Sequence, residues 1–216
     1  MIRILHIAIA GFIGLAVAAP AQAQQERSER MQRLAVAAWT ACIADEFPQD
    51  VHDLLILDYR TDRYRSLIRE LGERRVSEEC FNAMPRAYRR IELGGLPFAG
   101  GLAEQMIEME AQEPLVKRLS MAVIGEPVTT HSYTDQVASC MVLGAPNLAA
   151  DLFATAPASD EETAAFAQLE LVQAICTQSG SAIEATPLAM RSMLATASFR
   201  ILAAQNSAPA ESDDDA

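Results

Sequence analysis

The sequence predicts an all-α protein built from two pseudo-repeated helical units, each closed by one disulfide of its own. Three observations carry that reading. Apolar residues recur at i, i+3, i+4 and i+7 along most of the chain, and no stretch alternates as a half-buried strand would. The chain also matches itself: at an offset of 98, Ala41 to Leu71 lies on Ser139 to Leu169 without gaps, pairing Cys42 with Cys140, Pro48 with Pro146, and Asp53 and Leu54 with Asp151 and Leu152. Asp62 and Leu71 fall on Asp160 and Leu169 in the same frame. After a two-residue deletion Cys80 stands opposite Cys176, and the segment starting at Pro187 resembles the one starting at Pro97. Each copy therefore holds two of the four cysteines.

The N-terminus carries Arg3, an apolar run from Ile4 to Ala19, Pro20, and the small-residue pattern Ala21, Gln22, Ala23. That is the pattern of a secretory signal peptide over residues 1–23, with cleavage after Ala23. The apolar run is 16 residues long, short of the ~20 that span a bilayer. No later stretch is apolar enough for a transmembrane segment. Loss of the leader removes one basic residue and no acidic one, so the net charge of −12 becomes −13. A surface of that sign repels nucleic acid, and no nucleic-acid partner is expected. An even number of cysteines in an exported chain points to disulfides rather than metal ligands. Four cysteines allow three pairings, but a unit that once stood alone needed its pair within itself. The expected bonds are Cys42 with Cys80 and Cys140 with Cys176. Each closes a loop of roughly 40 residues, worth on the order of 4 kcal/mol in the chain-entropy view.

Taken in order, Gln24 to Arg30 is polar and expected to fray. A first helix follows through Met31, Leu34, Ala35, Ala38, Trp39 and Cys42, and Pro48 stops it. A second runs from about Asp50 to Leu57. A third opens at Thr61 or Asp62, buries Tyr64, Leu67, Ile68 and Leu71, and ends at Gly72. Ser77 caps a helix through Cys80 that Pro85 kinks or ends, and Gly94 and Gly95 turn the chain into a helix headed by Pro97. This first unit spans 24–114. An unpaired helix, Leu115 to Ile124, and a linker fill 115–132. The second unit, 133–205, repeats the order with helices over Tyr133 to Gly144, Asn147 to Thr155 and Asp160 to Cys176, then from Pro187 to about Ala204 after a turn at Ser179 and Gly180. The acidic tail, 206–216, is expected to be disordered.

A helix bearing Cys, a Pro six residues on, an Asp-Leu pair, an acidic cap, a second Cys and a closing amphipathic helix resemble the uncharacterised exported tandem helical-repeat proteins of sphingomonad-type alphaproteobacteria. The resemblance covers most of residues 31–204, with Gly100, Gly101, Leu102, Ala103 and Glu104 fitting the closing helix in part and Ala189 to Ala195 less well. It implies a fold and no activity.

Chemistry-bearing residues are few. His52 and His131 are the histidines beyond the leader, and neither recurs in the other copy. His52 and Asp53 are adjacent on a helix and point in different directions, a poor base and orienter. Met106 with Met109 and Met190 with Met193 have the spacing of a Cu(I) thioether pair, but also that of a core stripe, the commoner use. Asp53 and Asp151 recur, and a cap or a buried hydrogen bond explains them more simply than acid catalysis does. Arg60, Arg63, Arg65 and Arg69, with Arg74, Arg75, Arg86, Arg89 and Arg90, crowd the first unit, whereas the second has only Arg191 and Arg200. Arginine forks suit carboxylates and phosphates, so this face is the candidate surface for an anionic envelope partner, set against an ordinary mixed-charge helix face. No catalytic residue, metal or cofactor is expected. The reading is a periplasmic helical binding or structural module of the cell envelope; the alternative is a small enzyme acting on peptidoglycan or another carbohydrate with carboxylates as acid and base.

Overall fold

The computed structural model describes residues 20–207 apart from 90, 111, 126 and 178–180, with side chains over 29–206. The apolar part of the leader, Arg90, the turn at Ser179 and Gly180, and the acidic tail beyond 207 lie outside the described residues. Among those residues there are ten α-helices and no strand. They are α1 Pro20–Glu46, α2 Pro48–Ile56, α3 Asp62–Glu73, α4 Glu78–Ala83, α5 Gly95–Met109, α6 Leu115–Ala122, α7 Tyr133–Gly144, α8 Pro146–Phe153, α9 Asp160–Cys176 and α10 Pro187–Ser207, with one 3₁₀ turn at Arg86–Tyr88. None is long and apolar enough to cross a membrane.

The two halves use the same local devices at the same offset of 98. Phe47 and Ala145 both leave the helical region, at φ −132°, ψ 48° and φ −147°, ψ 65°, so that Pro48 and Pro146 can open α2 and α8. A proline suits that place because the first N–H of a helix has no partner inside it. Thr61 and Ser159 cap α3 and α9, their hydroxyls accepting from the amides of Tyr64 and Glu162. Leu54 and Leu152, Val51 and Ala149, and Leu71 and Leu169 are all buried. The disulfides are Cys42–Cys80 and Cys140–Cys176, the expected pairing.

Several boundaries differ from the sequence reading. Gln24 to Arg30 is not frayed but helical within α1; Gln, Glu and Arg are good helix formers, and packed turns downstream supply the nucleus that an isolated segment lacks. Gly72 does not end α3, which runs to Glu73. A Cβ there would stand 2.9 Å from the Leu93 carbonyl oxygen, so this glycine permits a close approach instead. Pro97 is the third residue of α5, not the first, and α10 continues through Asn206 to Ser207.

The units share one hydrophobic core rather than holding one each. α5 packs on α10, α1 packs on α5, and α7 packs on α10. The crossing of α5 and α10 is tightest at Gly100, where a Cβ would lie 2.3 Å from the Ser192 Cβ. Burial aligns the two helices at an offset of 92, not the 90 that matching Pro97 to Pro187 would set: Phe98 and Met190, Leu102 and Leu194, Ala103 and Ala195, and Ile107 and Phe199 are buried in both. In that register Gly100 and Ser192 are each other's counterparts. A residue meeting its own counterpart is what a two-fold contact between like surfaces requires.

Gly100→Ala should lower the urea midpoint, by about 1–3 kcal/mol of stability or more, because the new methyl meets backbone and cannot be accommodated by a rotamer. Gly144→Ala, whose Cβ would sit 3.9 Å from Val172, should be neutral or stabilise by about 0.4–1 kcal/mol.

Candidate functional site

The buried charged groups Arg33, Glu162 and Arg191 gather at one place, and a second polar cluster, half-buried, forms around Arg200. In the first, Arg191 of α10 is 4% exposed and its guanidinium is fully engaged. Its Nε donates to Glu104 Oε2 at 2.9 Å and its Nη1 to Glu162 Oε1 at 3.0 Å and Thr155 Oγ1 at 3.1 Å. Its Nη2 donates to the Thr155 carbonyl at 3.0 Å and to Glu104 Oε1. Arg33 of α1, 6% exposed, donates to the same Glu162 oxygen at 2.5 Å. Glu162, 1% exposed, takes the Ala158 amide on its other oxygen at 3.1 Å while its own amide donates to Ser159. That reciprocity is a shifted capping box, and the Ser159-x-x-Glu162 spacing is a signal that the reading of a helix from Asp160 did not use. Ala158 adopts φ 59° to complete it. Burial opposes the charge on Arg191, but Glu104 and Glu162 outweigh it and raise its pKa above the ordinary value. Two cations and two carboxylates balance, and the space beside Arg33, Glu104 and Arg191 is only about 30 Å³.

The second place is open. A cavity of about 260 Å³ lies between α3, α5, α7 and α10, walled by Tyr59, Tyr64, Leu96, Met193, Thr134 and Thr196. Asp135 and Arg200 close one end, with Arg200 Nη1 donating to Asp135 Oδ2 at 2.8 Å and Nη2 to the Thr129 carbonyl at 2.7 Å. Burial pushes the Tyr64 phenol up to about 12, which keeps its hydroxyl protonated and able to donate. Tyr59 stacks edge-on to Tyr64 at 6.4 Å and to His131 at 5.8 Å.

Behind Arg200 a second pocket of about 400 Å³ brings together His52, Asp58 and His131, which no spacing in the sequence linked. His131 Nδ1 is 3.7 Å from Asp58, and the Arg60 side chain and amide hold the Asp58 carboxyl far below the usual carboxylate range. Burial first, then the Arg200 charge, lowers the His131 pKa, with Asp58 pulling the other way. His52 Nδ1 is buried without a hydrogen bond; Asp53 is 3.6 Å away and accepts instead from Gln49 at 2.9 Å.

The other sequence candidates disperse. Asp53 is half-exposed and Asp151 exposed, so neither makes a buried hydrogen bond, and neither is a cap, since Phe47 and Ala145 stand at the N-caps of α2 and α8. Met106 and Met190 are core, Met109 is 51% exposed, and Met193 lines the cavity. Arg60, Arg63, Arg65 and Arg69 are exposed, but Arg60 is paired with Asp58 and Arg65 with Asp62. Arg74 is shared by Asp50 and Glu70. Among the described residues no cluster of His, Cys, Asp and Glu could hold a metal. No protein-family model, curated protein or solved structure matches the chain, so function is argued from the chemistry of these sites.

Glu162→Gln should cost about 3–5 kcal/mol in urea denaturation, since it leaves two buried guanidinium groups short of counter-charge. Asp62→Asn, at a fully exposed pair, should change stability by less than about 0.5 kcal/mol. His131 sets a pH dependence. With its folded pKa below 6.5, the unfolded chain binds more protons in mild acid, so stability falls as pH drops through that value and recovers above it. Melting curves between about pH 5.5 and 7.5 should show a shallower slope for His131→Asn than for the native chain.

Proposed function

We propose that the protein is an exported helical binding module of the cell envelope whose ligand is a small, uncharged and largely apolar molecule held in the cavity between α3, α5, α7 and α10. The observation that carries the reading is the cavity itself: about 260 Å³ walled by two tyrosines, a leucine and a methionine, with threonines and one charge pair as its polar features. Concave, mainly apolar sites with a few fixed polar groups are where small ligands bind. Asp135 already neutralises Arg200, so a charged ligand would meet a repelling partner beside each attracting one, whereas a hydroxyl or amide can use the Tyr64 hydroxyl and the spare guanidinium donors. Export rests on the leader pattern, and two disulfides accord with an oxidising compartment. An acid catalyst acting on a glycan would need a carboxyl held protonated. The carboxyls that this structure perturbs, Asp58 and Glu161, both move the other way.

The uncharged fluorophore N-phenyl-1-naphthylamine tests the reading. Its fluorescence should rise on titration with the protein and saturate at one molecule per chain. Met193→Trp, which fills the cavity, should weaken that binding at least tenfold, and Met109→Ala, at an exposed position, should not. Equal binding by the Met193→Trp variant would place the probe elsewhere and end this assignment.

A further inference from the structure

We propose that the open cavity has a closed twin: the space occupied by Arg33, Glu104, Glu162 and Arg191 is a second copy of the same ligand site, shut by that charged quartet. This rests on the binding function proposed above. The register of the fold makes the connection. At the offsets of 98 for α1 to α3 and 92 for α5, the cavity residues Tyr59, Leu96, Thr134, Asp135, Met193 and Thr196 have the counterparts Pro157, Leu188, Val36, Ala37, Gly101 and Glu104. All six counterparts border the 30 Å³ remnant beside Arg33, Glu104 and Arg191, whereas those of the other three cavity residues, Gly95, Tyr64 and Arg200, are Pro187, Glu162 and Glu108 and lie outside it. The α5–α10 crossing at Gly100 and Ser192 relates the two places, since each helix presents to one side what the other presents to the opposite side.

The differences between the twins account for their states. Tyr64 is matched by Glu162 and Thr196 by Glu104, which brings two carboxylates into the closed site. Ala99 is matched by Arg191, whose guanidinium spans them. The fourth member comes from an asymmetry of length. α7 begins at Tyr133, whereas α1 extends well before the counterpart position, Ala35, and so offers Arg33 from a helix. His131, at the position matching Arg33, precedes α7 and faces the neighbouring pocket instead. The quartet thus joins α1, α5, α9 and α10 where the other site leaves room for a ligand to lie between α3, α5, α7 and α10.

The test exchanges the four positions together, because removing one member strands the rest as buried charges. The variant Arg33→His, Glu104→Thr, Glu162→Tyr, Arg191→Ala copies the open site into the closed one. By fluorescence titration it should bind one more molecule of N-phenyl-1-naphthylamine per chain than the native protein, two against one. An unchanged count in a variant with native helical circular dichroism and both disulfides would overturn the proposal. The reverse exchange, His131→Arg, Tyr64→Glu, Ala99→Arg, Thr196→Glu, should fold and bind none. A reverse variant that keeps its probe, or that cannot fold, would also overturn it, since equivalent spaces must accept the same four side chains. A native chain that binds no probe would refute the binding function alone; folding of the reverse exchange with both disulfides formed, a readout that needs no probe, would still decide whether the twin exists.

Discussion

The α5–α10 crossing is the constraint on which the remainder of the fold depends. Two helices approach to a separation that leaves no room for a methyl at Gly100, and α10 packs on α2 of the first half as well as on α7 and α8 of the second. α1 and α2 pack on one of these helices and α7 and α8 on the other, so removing either helix would leave a half without a floor. A small domain rarely gathers enough apolar area to be stable alone, and two halves that share a core avoid that limit. The disulfides then act within each half, holding Cys42 of α1 to α4 and Cys140 of α7 to the end of α9.

The halves differ in backbone, where α3, α4 and the 3₁₀ turn stand against the single helix α9, and in polar groups at matched positions. Phe47 and Ala145 turn the chain alike, and Thr61 and Ser159 cap alike, yet position 64 is a tyrosine and its match a buried glutamate. A buried carboxylate is tolerated only with charge and hydrogen bonds around it, and Glu162 has two arginines and a backbone amide. Such a cluster adds little net stability over an apolar filling, but a broken one is costly. It therefore specifies one arrangement of α1 against α9.

Much of the architecture was legible in the chain. Helix periodicity, the matched prolines at 48 and 146 and the cap at 61 are local signals, and the cysteine pairing followed from the self-match. What could not be read was which charges are buried. Arg191 and Arg200 looked sparse beside the arginines of α3, yet these two lie at the polar centres, while Arg60 and Arg65 form surface pairs with Asp58 and Asp62. Periodicity places a residue on a face of its own helix and is silent about which helix covers that face. The meeting of His52 and His131, and the walling of the cavity by Tyr59 with Met193, depend on packing between elements far apart in sequence.

That same crossing joins residues some 92 positions apart, and α10 is the last helix among the described residues. Until it arrives, the face of α5 at Gly100 lacks the helix that packs on it most extensively. The first half can close its disulfide and its short-range helix contacts early, but it must wait with an apolar face open for the C-terminal helix. Contacts of such long sequence separation are slow to form, and the interval before them is when a chain is prone to associate wrongly. A chain organised in this way cannot complete its core until α10 has reached α5.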